Sequence, residues 1–329
     1  MKPSNIGGQA VMEGIMMRHK DKYSIAVRRP DNEIELKVED YKCVFGNAKF
    51  LKYPLIRGVV SFVDSLVVGT KCLMYSAEIA GDEEDEEDKQ KNAALSEEEL
   101  AAKKAKEDKQ FKWLLYVTVA VSIVVSVAAF MLLPYALASL CRRVGASEFA
   151  VTIVEAFVKL ALFMGYMLLI SRMKDIQRTF MYHGAEHKCI NCIENGKILT
   201  IENVRESSRF HKRCGTSFML IVLIISILFF IFIRSDVVWI KYTIRLILIP
   251  VIAGVSYEII RLAGSSDNFI VNLISKPGIW MQKITTKEPT DDMIEVAIKA
   301  VEEVFDWKDY LKSNGIEVLD EISGEEDVD

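Results

Sequence analysis

The sequence predicts an α-helical polytopic membrane protein of about four transmembrane helices, with a small N-terminal β-containing cytoplasmic region and a C-terminal amphipathic helix. Three observations predict it. Four apolar runs lie between residues 113 and 262, each long enough to cross a hydrocarbon core of about 30 Å. Two short strand-like runs, separated by turn residues, lie ahead of residue 53. An apolar stripe at helical spacing follows Pro289.

Residues 1–53 form the β-containing region. The runs 23–27 (YSIAV) and 34–38 (IELKV) read as strands, and Pro30, Asp31 and Asn32 between them supply hairpin turn chemistry. The opening stretch from Gly7 to Gly14 is punctuated by glycine, as a tight loop near a ligand or a plain turn would be. Residues 54–80 are apolar but interrupted by Arg57, Asp64, Lys71 and Glu78, which suits an amphipathic interfacial or re-entrant helix better than a span. Residues 81–111 are a charge block. Positions 82–88 are almost all acidic and 103–109 mostly basic, the composition of a solvated linker.

Residues 112–263 carry the spans, at 113–140, 149–170, 217–233 and 237–262. Pro134 is expected to kink the first. The second holds Glu155 and Lys159, one helical turn apart and able to neutralise each other. The fourth holds Lys241, Arg245, Glu258 and Arg261, and Glu155 is the expected partner of Arg245. The segment 172–215 and the lead-in 103–112 are rich in Lys and Arg, which places both in the cytoplasm, together with the N- and C-termini. Arg142 and Arg143, in the short outer loop, run against that rule. Residues 264–329 form a C-terminal cytoplasmic segment. There Asp291 and Asp292 favour a helix start, and Ile294, Ala297, Ile298, Val301 and Phe305 make its apolar stripe.

Composition excludes some classes. The net charge is −5, and no basic patch with interleaved aromatics marks a nucleic-acid surface. The first nine residues lack a signal-peptide pattern. Six cysteines at 43, 72, 141, 189, 192 and 214 do not make a secreted disulfide framework, so thiols or ligands in a reducing compartment are expected.

The chemistry concentrates in 172–215, which holds three of the four histidines. His183 and His187 are four residues apart, so on a helix they project from one face. Two imidazoles so placed can hold one transition metal, with Glu186 beside it as a carboxylate, in the H-x-x-E-H order of the inverted zinc-peptidase motif. His211 and Cys214 follow as a second candidate pair, and Cys192 and Glu194 are further candidates. Two histidines with a His/Cys pair would close a tetrahedral structural site. Three ligands would leave a catalytic position open, with Glu186 as general base. A divalent transition metal is therefore expected, zinc first among them. Gln9 and Glu13 are expected to approach this segment. Asp267, in the polar stretch 265–268, either caps a helix or joins the site.

These residues carry a resemblance. The stretch 8–14 (GQAVMEG) with Met16, Met17 and Arg18, then Arg57-Gly58, 183–188 (HGAEHK), 211–218 (HKRCGTSF), Tyr257-Glu258, 264–268 and 277–295 together resemble the YqhQ family of uncharacterised bacterial membrane proteins, described as predicted metal-dependent enzymes. The resemblance covers nearly the whole chain. It implies a multi-pass protein of the bacterial inner membrane and supplies no substrate. The reading that follows is a metal-dependent hydrolase working at the cytoplasmic membrane surface. A non-enzymatic assembly or regulatory protein with a structural metal stays open, as does a small transporter using Glu155, Lys159 and Arg245. The bilayer is the expected partner. The substrate, and any pairing with a second copy or another membrane protein, stay open.

Overall fold

The computed structural model describes residues 3–46, 48–81, 97–233, 237–266 and 268–316. The acidic run 82–88 and Asp267 lie outside them. The chain is mostly helical, with one small N-terminal sheet, and divides into two units. Unit 1 comprises Met1–Ala80, Met173–Ile221 and Ala253–Asp329, and unit 2 comprises Gly81–Arg172 and Val222–Ile252.

In unit 1 the sheet is an antiparallel meander of β1 (Gly7–Val11), β2 (Gly14–His19), β3 (Lys22–Arg28) and β4 (Ile34–Asp40). The expected hairpin is β3–β4, with Ile25 opposite Lys37. The glycine-punctuated opening also forms strands, in a register that sets Gln9 opposite Met16. Alternation of side chains sends Ile15, Met17 and Ala26 to one face and Met16, Tyr23, Ile25 and Val27 to the other. Helices cover both faces. The first face packs on α5 (Lys174–Glu194) and α10 (Asp291–Glu302) through Tyr182, Ala185, Cys189, Ile294, Ala297 and Val301. The second packs on α1 (Ile56–Ala80) through Val68, Cys72, Tyr75 and Ile79.

The remaining helices of unit 1 frame that core. They are α6 (Ile201–Glu206), α9 (Phe269–Thr285), capped by the Asn268 side chain, and α11 (Trp307–Ser313), capped by Asp306. Two helices are divided between the units, α7 (Gly215–Ile231) and α8 (Val238–Ser265).

Unit 2 holds α2 (Glu97–Val127), α3 (Leu133–Arg143) and α4 (Glu148–Ile170). Between α2 and α3 the helix widens into one π turn, Ala128–Leu132, directly before Pro134. Proline lacks the N–H that continues an α-helical ladder, and its ring crowds the carbonyl four residues back; the wider turn absorbs both.

Among the described residues, four helices are long and apolar enough to cross a membrane by length and composition: Ile56–Ala80, Tyr116–Arg143, Glu148–Ile170 and Trp239–Ser265. This differs from the sequence expectation at two places. The 54–80 stretch qualifies despite its charges, and the expected third span is a shorter apolar helix, Gly215–Ile231.

Candidate metal centre

Helix α5 brings the two histidines together. Their four-residue spacing stacks the imidazoles on one face, with ring centroids 4.4 Å apart. Each ring is oriented by a backbone carbonyl. His183 Nδ1–H donates to the carbonyl of Thr285 (2.9 Å), and His187 Nδ1–H donates to that of Arg209 (2.7 Å). Both Nε2 atoms are thereby left as the ligating nitrogens, the arrangement in which metal-binding histidines are usually held.

The third member is Cys214, the residue before α7. Its sulfur lies 3.3 Å from His183 Nε2 and 3.1 Å from the Thr216 hydroxyl, which in turn meets the Thr285 hydroxyl at 3.1 Å. His183, His187 and Cys214 offer ligand atoms that all lie within 4.8 Å of one another. His187 and Cys214 are buried, and His183 keeps partial exposure.

Charge is concentrated here. Burial opposes an ionised thiol at Cys214, but the His183 and His187 imidazoles overcome it and hold the thiol well below its ordinary value. Burial likewise opposes a charged His183, yet the Cys214 thiolate raises it to about 9. Glu186, on the same helix, is pushed up by burial, while His187 and His183 pull it the other way. Its carboxyl carbon packs close to β1, where a Cβ added to Gly8 would fall 2.9 Å from it.

The other candidates fall elsewhere. The His211 ring centroid is 5.7 Å from that of His187, but its Nε2 faces Glu194 at 3.4 Å. Glu194 also accepts from the backbone N–H (2.8 Å) and hydroxyl (2.7 Å) of Ser4 and from Arg213. It is a hub of internal hydrogen bonds and does not join the cluster. The Cys192 thiol donates to the carbonyl of Ile198 at 3.4 Å, and burial pushes it up to about 11. Glu13 does approach the 172–215 segment, in a two-point ion pair with Arg178, both contacts 2.5 Å, near the start of α5, and stays outside the cluster. Gln9 packs against Gly69 of α1, where a Cβ would fall 2.2 Å from its Oε1. Asp267 lies outside the described residues.

One residue that shapes the cluster's surroundings escapes the sequence reading. Gln282 of α9 is fully buried, accepts from the His211 N–H (2.8 Å), and donates to the His211 carbonyl (2.7 Å) and the Ser217 hydroxyl (2.8 Å). It pins the 209–214 loop that presents the Arg209 carbonyl and Cys214. A lone amide amid the apolar residues Ile279, Trp280 and Met281 was its only sequence signal.

A family model described as "Protein of unknown function (DUF1385)" matches residues 53–307. The chain belongs to this family. It is also similar to "Uncharacterized protein YqhQ" of Bacillus subtilis (strain 168), 35% identical over 315 residues that cover 92% of each chain. No solved structure matches. The family span includes 183–188 and 211–218, whereas the 8–18 stretch lies outside it.

Proposed function

We propose that this chain is a bacterial inner-membrane protein in which His183, His187 and Cys214 hold one divalent transition ion, zinc first, for hydrolysis at the cytoplasmic membrane surface. The observation that carries the reading is the convergence of three donor atoms within 4.8 Å, with both Nδ1–H groups already engaged by carbonyls. Donors on a tetrahedral zinc with bonds of about 2.0–2.3 Å stand about 3.3–3.8 Å apart, so only a small closure is needed. Three protein ligands would leave one position of a tetrahedral site open. A metal bound there would supply Lewis acidity and a water of lowered pKa. Glu186 is the carboxylate beside it, placed to act as general base, and burial raises its pKa.

The membrane reading draws on α1. Its charges Arg57, Asp64, Lys71 and Glu78 recur every seven residues; Asp64 is buried and bonded to Tyr41, Arg57 is half-buried against Glu258, and Lys71, beside Glu39, and Glu78 are exposed. Phe62, Leu66, Val67, Leu73 and Met74 are exposed, the reverse of a helix built for water. The open edges of the sheet that α1 packs on do not belong in hydrocarbon. This supports α1 as an interfacial helix and leaves the crossings to the helices between residues 113 and 265, with both termini cytoplasmic.

Elemental analysis of the protein purified in detergent under reducing conditions tests the metal. About one zinc or iron per chain is expected, lost in His183→Ala, His187→Ala and Cys214→Ser. No stoichiometric metal, even after reconstitution, overturns the proposal. Glu186→Gln then separates the enzyme from a non-enzymatic protein with a structural metal. In the enzyme it keeps the metal and abolishes function, and in the other it changes little.

A further inference from the structure

We infer that the groove between the 41–52 loop, the first turns of α1 and the last turns of α8 is a binding site for the phosphate head group of an anionic phospholipid. The inference rests on the membrane reading and is independent of the metal. The groove has a volume of about 380 Å³, and Lys52, Arg57 and Arg261 contribute three cations to its lining. Asp64 is the single carboxylate in that lining. Both Asp64 oxygens are already occupied, one by the Tyr41 hydroxyl (2.5 Å) and one by the Val44 N–H (2.9 Å). Glu258, just outside, makes its side-chain hydrogen bonds to Arg57, at Nε (2.7 Å) and Nη2 (2.5 Å), while Arg261 acts on it through space only. Among the described residues, Lys52 and Arg261 make no ion pair, and both are exposed. The acids are thus internally satisfied, and two cations are left facing an open groove. That is charge complementarity for a phosphodiester.

The surroundings select a lipid over a free anion. The rim is apolar and uncovered, with Val44, Phe45, Phe50, Tyr53, Leu55 and Ile56 all exposed. Lys49 and Lys52 are interleaved with them. Aromatic and basic residues mixed in this way are the composition of a membrane interface. Beside the groove, Gly58 of α1 and Tyr257 of α8 meet so closely that a Cβ at Gly58 would fall 2.8 Å from the Tyr257 Cβ. The helices that carry Arg57 and Arg261 are thus packed directly together, next to the exposed apolar face of α1.

The test uses the full chain, delipidated in detergent, and calorimetric titration with dihexanoyl phosphatidylglycerol below its micelle concentration. Dihexanoyl phosphatidylcholine and inorganic phosphate are the comparison probes. Saturable binding of phosphatidylglycerol is expected, with both comparison probes at least about tenfold weaker. Lys52→Gln and Arg261→Gln should each weaken it by about fivefold, and the double variant by about 25-fold. Both positions are exposed, so folding is not at stake, and an unchanged circular dichroism spectrum checks this. Binding undiminished in the double variant overturns the site. Phosphatidylcholine equal to phosphatidylglycerol overturns its charge selectivity, and inorganic phosphate equal to phosphatidylglycerol overturns the lipid assignment. The membrane reading is tested separately, by whether the protein sediments with membranes and requires detergent for extraction.

Discussion

Replacing Glu155 by Gln should destabilise the protein more than any other isosteric change in unit 2. Glu155 on α4 is 1% exposed and is surrounded by cations. Arg245 of α8, also 1% exposed, reaches its two oxygens at 2.5 and 3.2 Å, Lys159 at 3.0 Å and Lys241 at 3.7 Å. The amide keeps the size of the side chain and removes its charge, so these buried cations lose their common counter-ion. Breaking a buried pair by removing one partner costs about 3–5 kcal/mol, because the charge left behind cannot rehydrate. At about 2–4 °C per kcal/mol, the midpoint of thermal unfolding should fall by about 6–20 °C. Lys159→Met is the informative companion. It keeps the aliphatic stem, removes one cation and leaves Arg245 paired, so its cost should be clearly smaller. The assay is thermal unfolding of the purified protein in detergent, followed by circular dichroism at one pH and salt concentration. A Glu155→Gln midpoint within about 2 °C of the parent, or Lys159→Met the worse of the two, would refute the reasoning.

Other outcomes follow from the site. His211→Ala and Cys192→Ser should retain the metal that Cys214→Ser loses, as elemental analysis will read. Burial alone would raise Glu194, but His211, Arg213 and Ser4 hold it at about 2. A carboxyl depressed on folding contributes its stability above its unfolded value near 4.5 and loses it as pH falls toward 2. Glu194→Gln should therefore flatten the acid limb of a stability–pH profile between those values, and leave its shape near neutrality unchanged. Gly8→Ala would set a Cβ within 2.8 Å of the Met16 carbonyl and 2.9 Å of the Glu186 carboxyl carbon. Overpacking of this kind costs about 1–3 kcal/mol, measurable as a lowered melting midpoint. Gly184→Ala meets the Lys287 carbonyl at 2.0 Å and should cost more, because backbone on both sides must move.

What could be read in advance, and what could not, divides on physical grounds. The pairing of His183 with His187 was legible because a helix fixes which residues share a face. The choice of Cys214 over His211 or Cys192 was not. It depends on Glu194 and Arg213 drawing His211 away and on the Ile198 carbonyl engaging Cys192, contacts that no local pattern encodes. Strands β1 and β2 hid for a related reason. A sheet covered on both faces shows no polar alternation, so Ile15, Met16 and Met17 form an unbroken apolar run between Gly14 and Arg18.

Helix α1 carries charges at every seventh residue, one stripe of a helix, and a stripe of charge is ordinarily the face given to water. Here the stripe is divided. Asp64 is buried and bonded to Tyr41, Arg57 is half-buried against Glu258, and Lys71, beside Glu39, and Glu78 stay exposed. Phe62, Leu66, Val67, Leu73 and Met74 are exposed as well. A helix that leaves both charges and large apolar side chains uncovered fits a boundary between water and hydrocarbon better than either medium alone. This is a local argument for α1 at a membrane surface, made without reference to the longer apolar helices.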